Sequence, residues 1–222
     1  MSRGDAPHVY HNDQVDYQAL FFSNPEACLE IPMTMQRGYG LIKVGTVVGV
    51  NTSASSTNKG KYIPYDPHAT ITGAEDAPGR AYIVSNHTSG AYTVIVTMED
   101  SYKFIVGDDL LLQGSGEAVE NVGAITTIDR TTYGHIATIT FTVASGKNYT
   151  TANFAYACVE GSETAVGVLK AARDTGVGTD SVGALGNLVI GNALFYTGVL
   201  LNMDSNARTD VSASLISQYT KI

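Results

Sequence analysis

The sequence predicts a mainly β protein: a small β core with a short C-terminal helix, interrupted by an inserted small barrel or sandwich and preceded by an extended N-terminal arm. Three observations carry this expectation. Charged residues are only 15% of the chain while Gly numbers 23, and with abundant Thr, Ser, Val and Tyr that balance favours strands and turns over long helices. Short apolar runs bounded by Gly, Asn, Asp or Ser recur from about residue 79 to 160, the spacing of a small all-β module. Only the tail, SNARTDVSASLISQYTKI, presents a helical face. With 222 residues and 44% hydrophobic content, the chain has material for one good core or two modest ones.

Residues 1–36 are expected to form the arm. Asp5, Asp13, Asp16 and Glu26 precede Cys28, and the apolar patch Leu20-Phe21-Phe22 stands without any sustained period. An extended arm of this kind reaches on the order of 100 Å at ~3.3 Å per residue, far enough to dock on a neighbouring molecule. From Ile31 the stretch IPMTMQRGYGLIKVGTVVGVN alternates apolar with small or polar residues and reads as two short strands joined by a Gly turn. The tract TSASSTNKG looks too polar to pack, so it is expected to be a connection facing solvent or a neighbouring subunit. The strand KYIPYD follows, and Pro64 places it at a sheet edge or terminus.

The segment GAEDAPG has linker chemistry, after which AYIVSN, YTVIVTM, KFIV, DLLLQ, VGAITTID, HIATITFTV and NFAYACV each read as strands. EGSE, at 160–163, closes this series. TAVGVLKAARDTGVG has helical propensity opposed by Gly167 and the run AVGVL, and GALGNLVIGNALFYTGVLL is strand and turn material. In the tail, Thr209 or Asp210 is the expected cap of a helix with Val211, Leu215 and Ile216 on one face. The predicted organisation is an arm over 1–36, a discontinuous core over 37–78 and 161–222, and an inserted all-β domain over 79–160.

A net charge of −8 disfavours a phosphate backbone as partner, and Lys59 and Lys61 are read as a solubilising pair. No window approaches the ~18 apolar residues of a membrane span, and the start lacks a secretory h-region. A soluble protein made in a cytoplasm is the expectation, with neither nucleic acid nor membrane as partner. Cys28 and Cys158 read as idle thiols, and the sequons at Asn51, Asn86 and Asn148 as chance matches. His8 and His11 lie near Asp13 and Asp16, but no helix is predicted to bring them together and a third firm ligand is missing. Arg3 to Asp5 spell RGD, read as chance. Asp108 and Asp109 are adjacent on an entering strand, so their carboxylates should diverge. No G-x-S-x-G elbow occurs, and GSGE, at 114–117, has no evident His partner. The expected protein is not an enzyme and uses no cofactor or metal.

Read together, the two flanks carry a family signal. GTVVGVNTSASSTNKGKYIPYDP, then AVGVLKAARDTG, then GNLVIGNALFYTG, then a short helix, resembles in order the lambda-type phage head decoration proteins. The matching residues are Gly45, Thr46, Gly60, Lys61, Pro64, Tyr65, Asp66, Ala165, Gly167, Val168, Leu169, Gly191, Asn192, Ala193 and Leu194. The resemblance covers residues 36–70 and 164–218. It implies a homotrimer at three-fold positions on the outside of an expanded capsid, bound to the major capsid protein and stabilising the shell against internal DNA pressure. It also implies an arm that orders on contact, with Tyr17, Leu20, Phe21, Phe22, Ile31, Met33 and Met35 as capsid-binding residues. The block from 79 to 160 is an addition that the smallest members lack, expected to project outward or to thicken contacts between trimers. Two other readings stand beside this one: a carbohydrate- or receptor-binding module in which residues 79–160, with their share of the 13 tyrosines, bind a surface glycan, and a tail or baseplate structural protein.

Overall fold

The computed structural model describes Leu20 and residues 28–67, 77–114, 118–153, 155–180, 182–191, 193 and 195–213. Among these the chain is mainly β with one short helix near its C-terminal end.

The first barrel is assembled from both flanks. Its strands are β1 (Leu29–Met35), β3 (Val47–Val50), β4 (Tyr62–Pro64), β11 (Gly167–Leu169) and β13 (Ala184–Gly191), closed in the order β1-β13-β11-β3-β4. All neighbours are antiparallel except β1 and β4, which meet parallel at Met35 and Tyr62. A separate ribbon pairs β2 (Leu41–Ile42) with β12 (Arg173–Asp174). Pro64 falls on the last residue of β4, where its missing N–H ends the ladder without breaking it.

The second barrel is continuous in sequence. Its strands are β5 (Ala81–Tyr82), β6 (Thr93–Thr97), β7 (Asp109–Gln113), β8 (Glu120–Asp129), β9 (Ile136–Phe141) and β10 (Tyr156–Val159), in the order β5-β10-β7-β8-β9-β6 and wholly antiparallel. A bridge between Ile83 and Val96 joins the two ends of this sheet. Along β6 and β9 burial alternates, with Val94, Val96, Ala137, Ile139 and Phe141 inward, as expected of a sheet with one wet face. Along β7 and β10 it does not: Leu110 to Gln113 and Tyr156 to Val159 are buried on both faces, because the outer face of these two strands is covered.

KFIV is not a strand. A 3-10 turn spans Asp100–Lys103, set by Thr97 and Asp100: the Thr97 hydroxyl donates to the Asp100 carboxylate and accepts the Asp100 N–H. Reciprocal side-chain bonds of this kind outcompete a ladder, and Phe104 is then swept into the core. The stretch 31–51 likewise holds three strands rather than two, and its first, β1, pairs with β13 and β4 rather than with its sequence neighbour.

The helix α1 (Ser205–Ala213) begins earlier than the sequence suggests. Asp204 caps it, accepting the Ala207 N–H at 2.7 Å and the Tyr65 hydroxyl at 3.0 Å, so neither Thr209 nor Asp210 is the cap. Asp210 instead accepts the Ala165 N–H. Ala207 and Val211, one turn apart, pack on Val47, Tyr65 and Ala165. Leu215 and Ile216 lie outside the described residues.

Candidate functional site

The tract expected to face solvent is the centre of the molecule. Asn51, Ser53, Ser56 and Asn58, from the β3–β4 connection, are all buried, with exposures of 1, 0, 9 and 4%. Asn51 and Ser56 pack because the second barrel supplies an acid for their donors. Asp108, fully buried at the entry to β7, accepts from the Asn51 amide at 2.9 Å, the Ser56 hydroxyl, the Ile105 N–H at 3.0 Å and the Gln36 amide at 3.4 Å. Gln36 also donates to the Lys103 carbonyl and accepts from Asn51. Four donors around one carboxylate satisfy its lone pairs without a counter-ion, the condition for burying a charge at tolerable cost. Burial pushes the Asp108 carboxyl above its ordinary value, while the Ser56, Ile105, Asn51 and Gln36 bonds pull the other way.

Beside this network lies a buried ion pair. Arg80, at the end of the linker region, donates from Nε to Asp66 at 2.9 Å and from Nη2 at 2.5 Å, with both side chains at most 1% exposed. Its guanidinium also lies 4.0 Å from the centroid of the Tyr156 ring. Asp66 belongs to the first barrel's flank and Tyr156 to β10, so one arginine joins both. The Asp66 N–H donates to the Ser162 carbonyl at 2.9 Å, which brings the two ends of the insertion side by side, where an inserted domain is tolerated best.

The backbones come close enough that side chains would obstruct them. A Cβ on Gly161, at φ +95°, would lie 1.9 Å from the Val50 carbonyl oxygen, and one on Gly38 would lie 2.0 Å from that of Tyr102. Both contacts cross between the barrels, and only glycine permits them. One apolar cluster runs through both units, from Met33, Val48 and Leu188 to Val94, Leu112 and Phe141.

At the rim, Glu160 follows the last residue of β10, and its N–H donates to the Asp109 carbonyl at 3.0 Å. The Ala54 N–H donates to the Asp109 carboxylate and the Thr52 N–H to the Glu160 carbonyl. Burial, with the neighbouring Asp109 and Glu163 carboxylates, pushes the Glu160 carboxyl up to about 6. The assembly is chemically a joint: a dense set of short-range bonds that fixes two barrels against each other.

Several expected site residues lie elsewhere. Met33 and Met35 are buried in the first barrel and Ile31 packs partly buried against the same core, so all three are strand residues of β1. Their alternation is that of a strand covered on one face. Leu20 is buried against Val168, Val189 and Phe195 of its own chain. Tyr17, Phe21, Phe22, His8, His11, Asp13 and Asp16 lie outside the described residues. Asp108 and Asp109 do diverge, the first into the network and the second to the rim. Cys28 and Cys158 are thiols rather than a disulfide, and burial raises both, Cys28 to about 11, leaving little thiolate for reaction at neutral pH. Among the described residues no group of three or more His, Cys, Asp or Glu could hold a metal ion.

Sequence reasoning missed Gln36, Asn51, Ser53, Ser56 and Asp66 as members of the joint. The available signal was chemical: a serine- and asparagine-rich tract and an isolated VGDD elsewhere are complementary donors and acceptors. No protein-family model, curated protein or solved structure matches the chain.

Proposed function

We propose that the protein is a non-enzymatic capsid decoration protein, which binds the exterior of an expanded phage head as homotrimers at three-fold positions, contacts the major capsid protein and stabilises the shell against internal DNA pressure. The observation that carries this reading is the first barrel. The two flanks that resemble the decoration family in sequence, separated by the whole insertion, meet in one closed sheet through β3, β4, β11 and β13. Gly45 and Thr46 enter β3, Pro64 ends β4, and Gly167 to Leu169 form β11. A stiff joint to the second barrel suits a protein that must carry load without yielding between its parts.

In this reading the arm is tested by removing residues 1–19, because deletion to residue 36 would also remove β1 and Leu20 from the first barrel. The test is co-sedimentation of the full chain, and of a chain lacking residues 1–19, with matching expanded and unexpanded heads. Retention of the full chain by expanded heads alone, lost on truncation, is the expected result. Failure of both head forms to retain the full chain would overturn the reading.

A further inference from the structure

The joint contains one contact that works against itself at neutral pH. In the β7–β10 ladder Val159 pairs with Leu110, and the Glu160 N–H continues it by donating to the Asp109 carbonyl at 3.0 Å. Two carboxylates are thereby set opposite each other on adjacent strands, an arrangement that repels when both are ionised. Their charged neighbours offer no relief. Glu163, from the turn after β10, is a third acid near Glu160, and its carboxylate accepts the Gly161 N–H. Asp108, the residue before β7, is committed to its own four donors. The facing loop of the first barrel contributes Thr52, Ser53 and Ala54, none of them charged.

That loop is strapped to the acid pair at three points. The Ala54 N–H donates to the Asp109 carboxylate at 3.3 Å, the Asp109 N–H donates to the Ser53 hydroxyl at 2.8 Å, and the Thr52 N–H donates to the Glu160 carbonyl at 3.2 Å. We propose that Asp109 and Glu160 form a proton-operated strap between the barrels, drawn tight when Glu160 is protonated and donates to Asp109, and slackened over residues 52–54 when both carboxylates are charged. Repulsion then separates the side chains and pulls Asp109 from the Ala54 amide. The remainder of the joint, around Asp108 and Arg80, stays closed, so slackening is local.

The sign follows from linkage. Glu160 in the closed strap holds its proton up to about pH 6, against 4.5 for the free group, so closure is most favoured below the lower value and weakens as pH rises through the upper one. Amide hydrogen exchange on the full-length protein from pH 5 to 7.5, corrected for intrinsic exchange, reads this directly. Protection at Thr52 and Ala54 should fall about tenfold across that range, while Ile139 in the second barrel stays level. Glu160→Gln, which keeps a donor and cannot ionise, should hold protection at the low-pH level throughout. Asp109→Asn, which keeps an acceptor for Ala54, should also remove the pH dependence. Flat protection in the wild-type protein, or an unchanged fall in both variants, would overturn the proposal.

Discussion

The two barrels are similar in strand number and opposite in how the chain builds them. The second uses one uninterrupted stretch, its strands all antiparallel and two of its pairings, β7 with β8 and β8 with β9, made between consecutive strands. The first joins β1 to β13 and β3 to β11 across more than a hundred residues, so the entropy of closing long loops stands against it until the intervening domain has formed. The contrast suggests an independent module carried by a dependent host. The joint qualifies that picture: Asp108 of the second barrel holds Gln36, Asn51 and Ser56 of the first, and a single apolar cluster crosses between them. Separable in sequence, the barrels are coupled in energy.

Asp108→Ala is the strongest way to break that coupling. It leaves the Ser56 hydroxyl and the Ile105 N–H without their acceptor and takes one of two acceptors from each of the Asn51 and Gln36 amides, at about 1–3 kcal/mol for each buried group left unsatisfied. With some relaxation the total should be roughly 4 kcal/mol, in the range for breaking a buried charged network. For a chain of this size that lowers the melting temperature by roughly 8–16 °C. Denaturant unfolding should also separate into two transitions, with the second barrel the later. A loss below about 1 kcal/mol with a single transition preserved would mean that the apolar cluster alone couples the barrels.

Two glycines sharpen the same comparison at smaller scale. Gly60 and Gly161 both have positive φ, +81° and +95°, but a Cβ on Gly60 meets nothing within 4 Å while one on Gly161 meets the Val50 carbonyl at 1.9 Å. Gly60→Ala should therefore cost only the left-handed backbone, about 1–2 kcal/mol. Gly161→Ala adds a displacement of one barrel from the other, for a total of about 3 kcal/mol. Equal midpoints of chemical unfolding for the two variants would show that the close approach carries no strain when filled.

What the sequence disclosed follows the same division. The strands of the second barrel were legible because β6 and β9 alternate and the others are short apolar runs bounded by turn residues, with the exception of KFIV, where the Thr97–Asp100 bonds override an apolar run. The flanks were legible as strands but not as partners, since nothing in the residues of β1 specifies β13 as its neighbour. Met33 and Met35 read as part of an arm for that reason. The joint was the least legible. Asn51, Ser53 and Ser56 have the composition of a wet loop, and only the presence of Asp108, more than fifty residues away, makes their burial favourable. Polarity predicted exposure where it should have predicted the need for a partner.

The smallest effect is expected where the first barrel meets α1, and it tests whether coupling has a limit. Asp204 caps the helix through the Ala207 N–H and also accepts the Tyr65 hydroxyl, so Asp204→Ala should cost about 1 kcal/mol, the usual value of an N-cap, with a little more for Tyr65. Asp204→Asn should recover most of it, because the amide oxygen can still accept from the helix. The helix packs on Val47, Tyr65 and Ala165, all outside the second barrel. Faster amide exchange should therefore appear at Ala207 and Arg208 and at the neighbouring Tyr65, while Ile139 and Phe141 keep wild-type protection. Loosening of the second barrel to the same degree would show that the joint transmits even a frayed helix end, and that the two barrels form one cooperative unit.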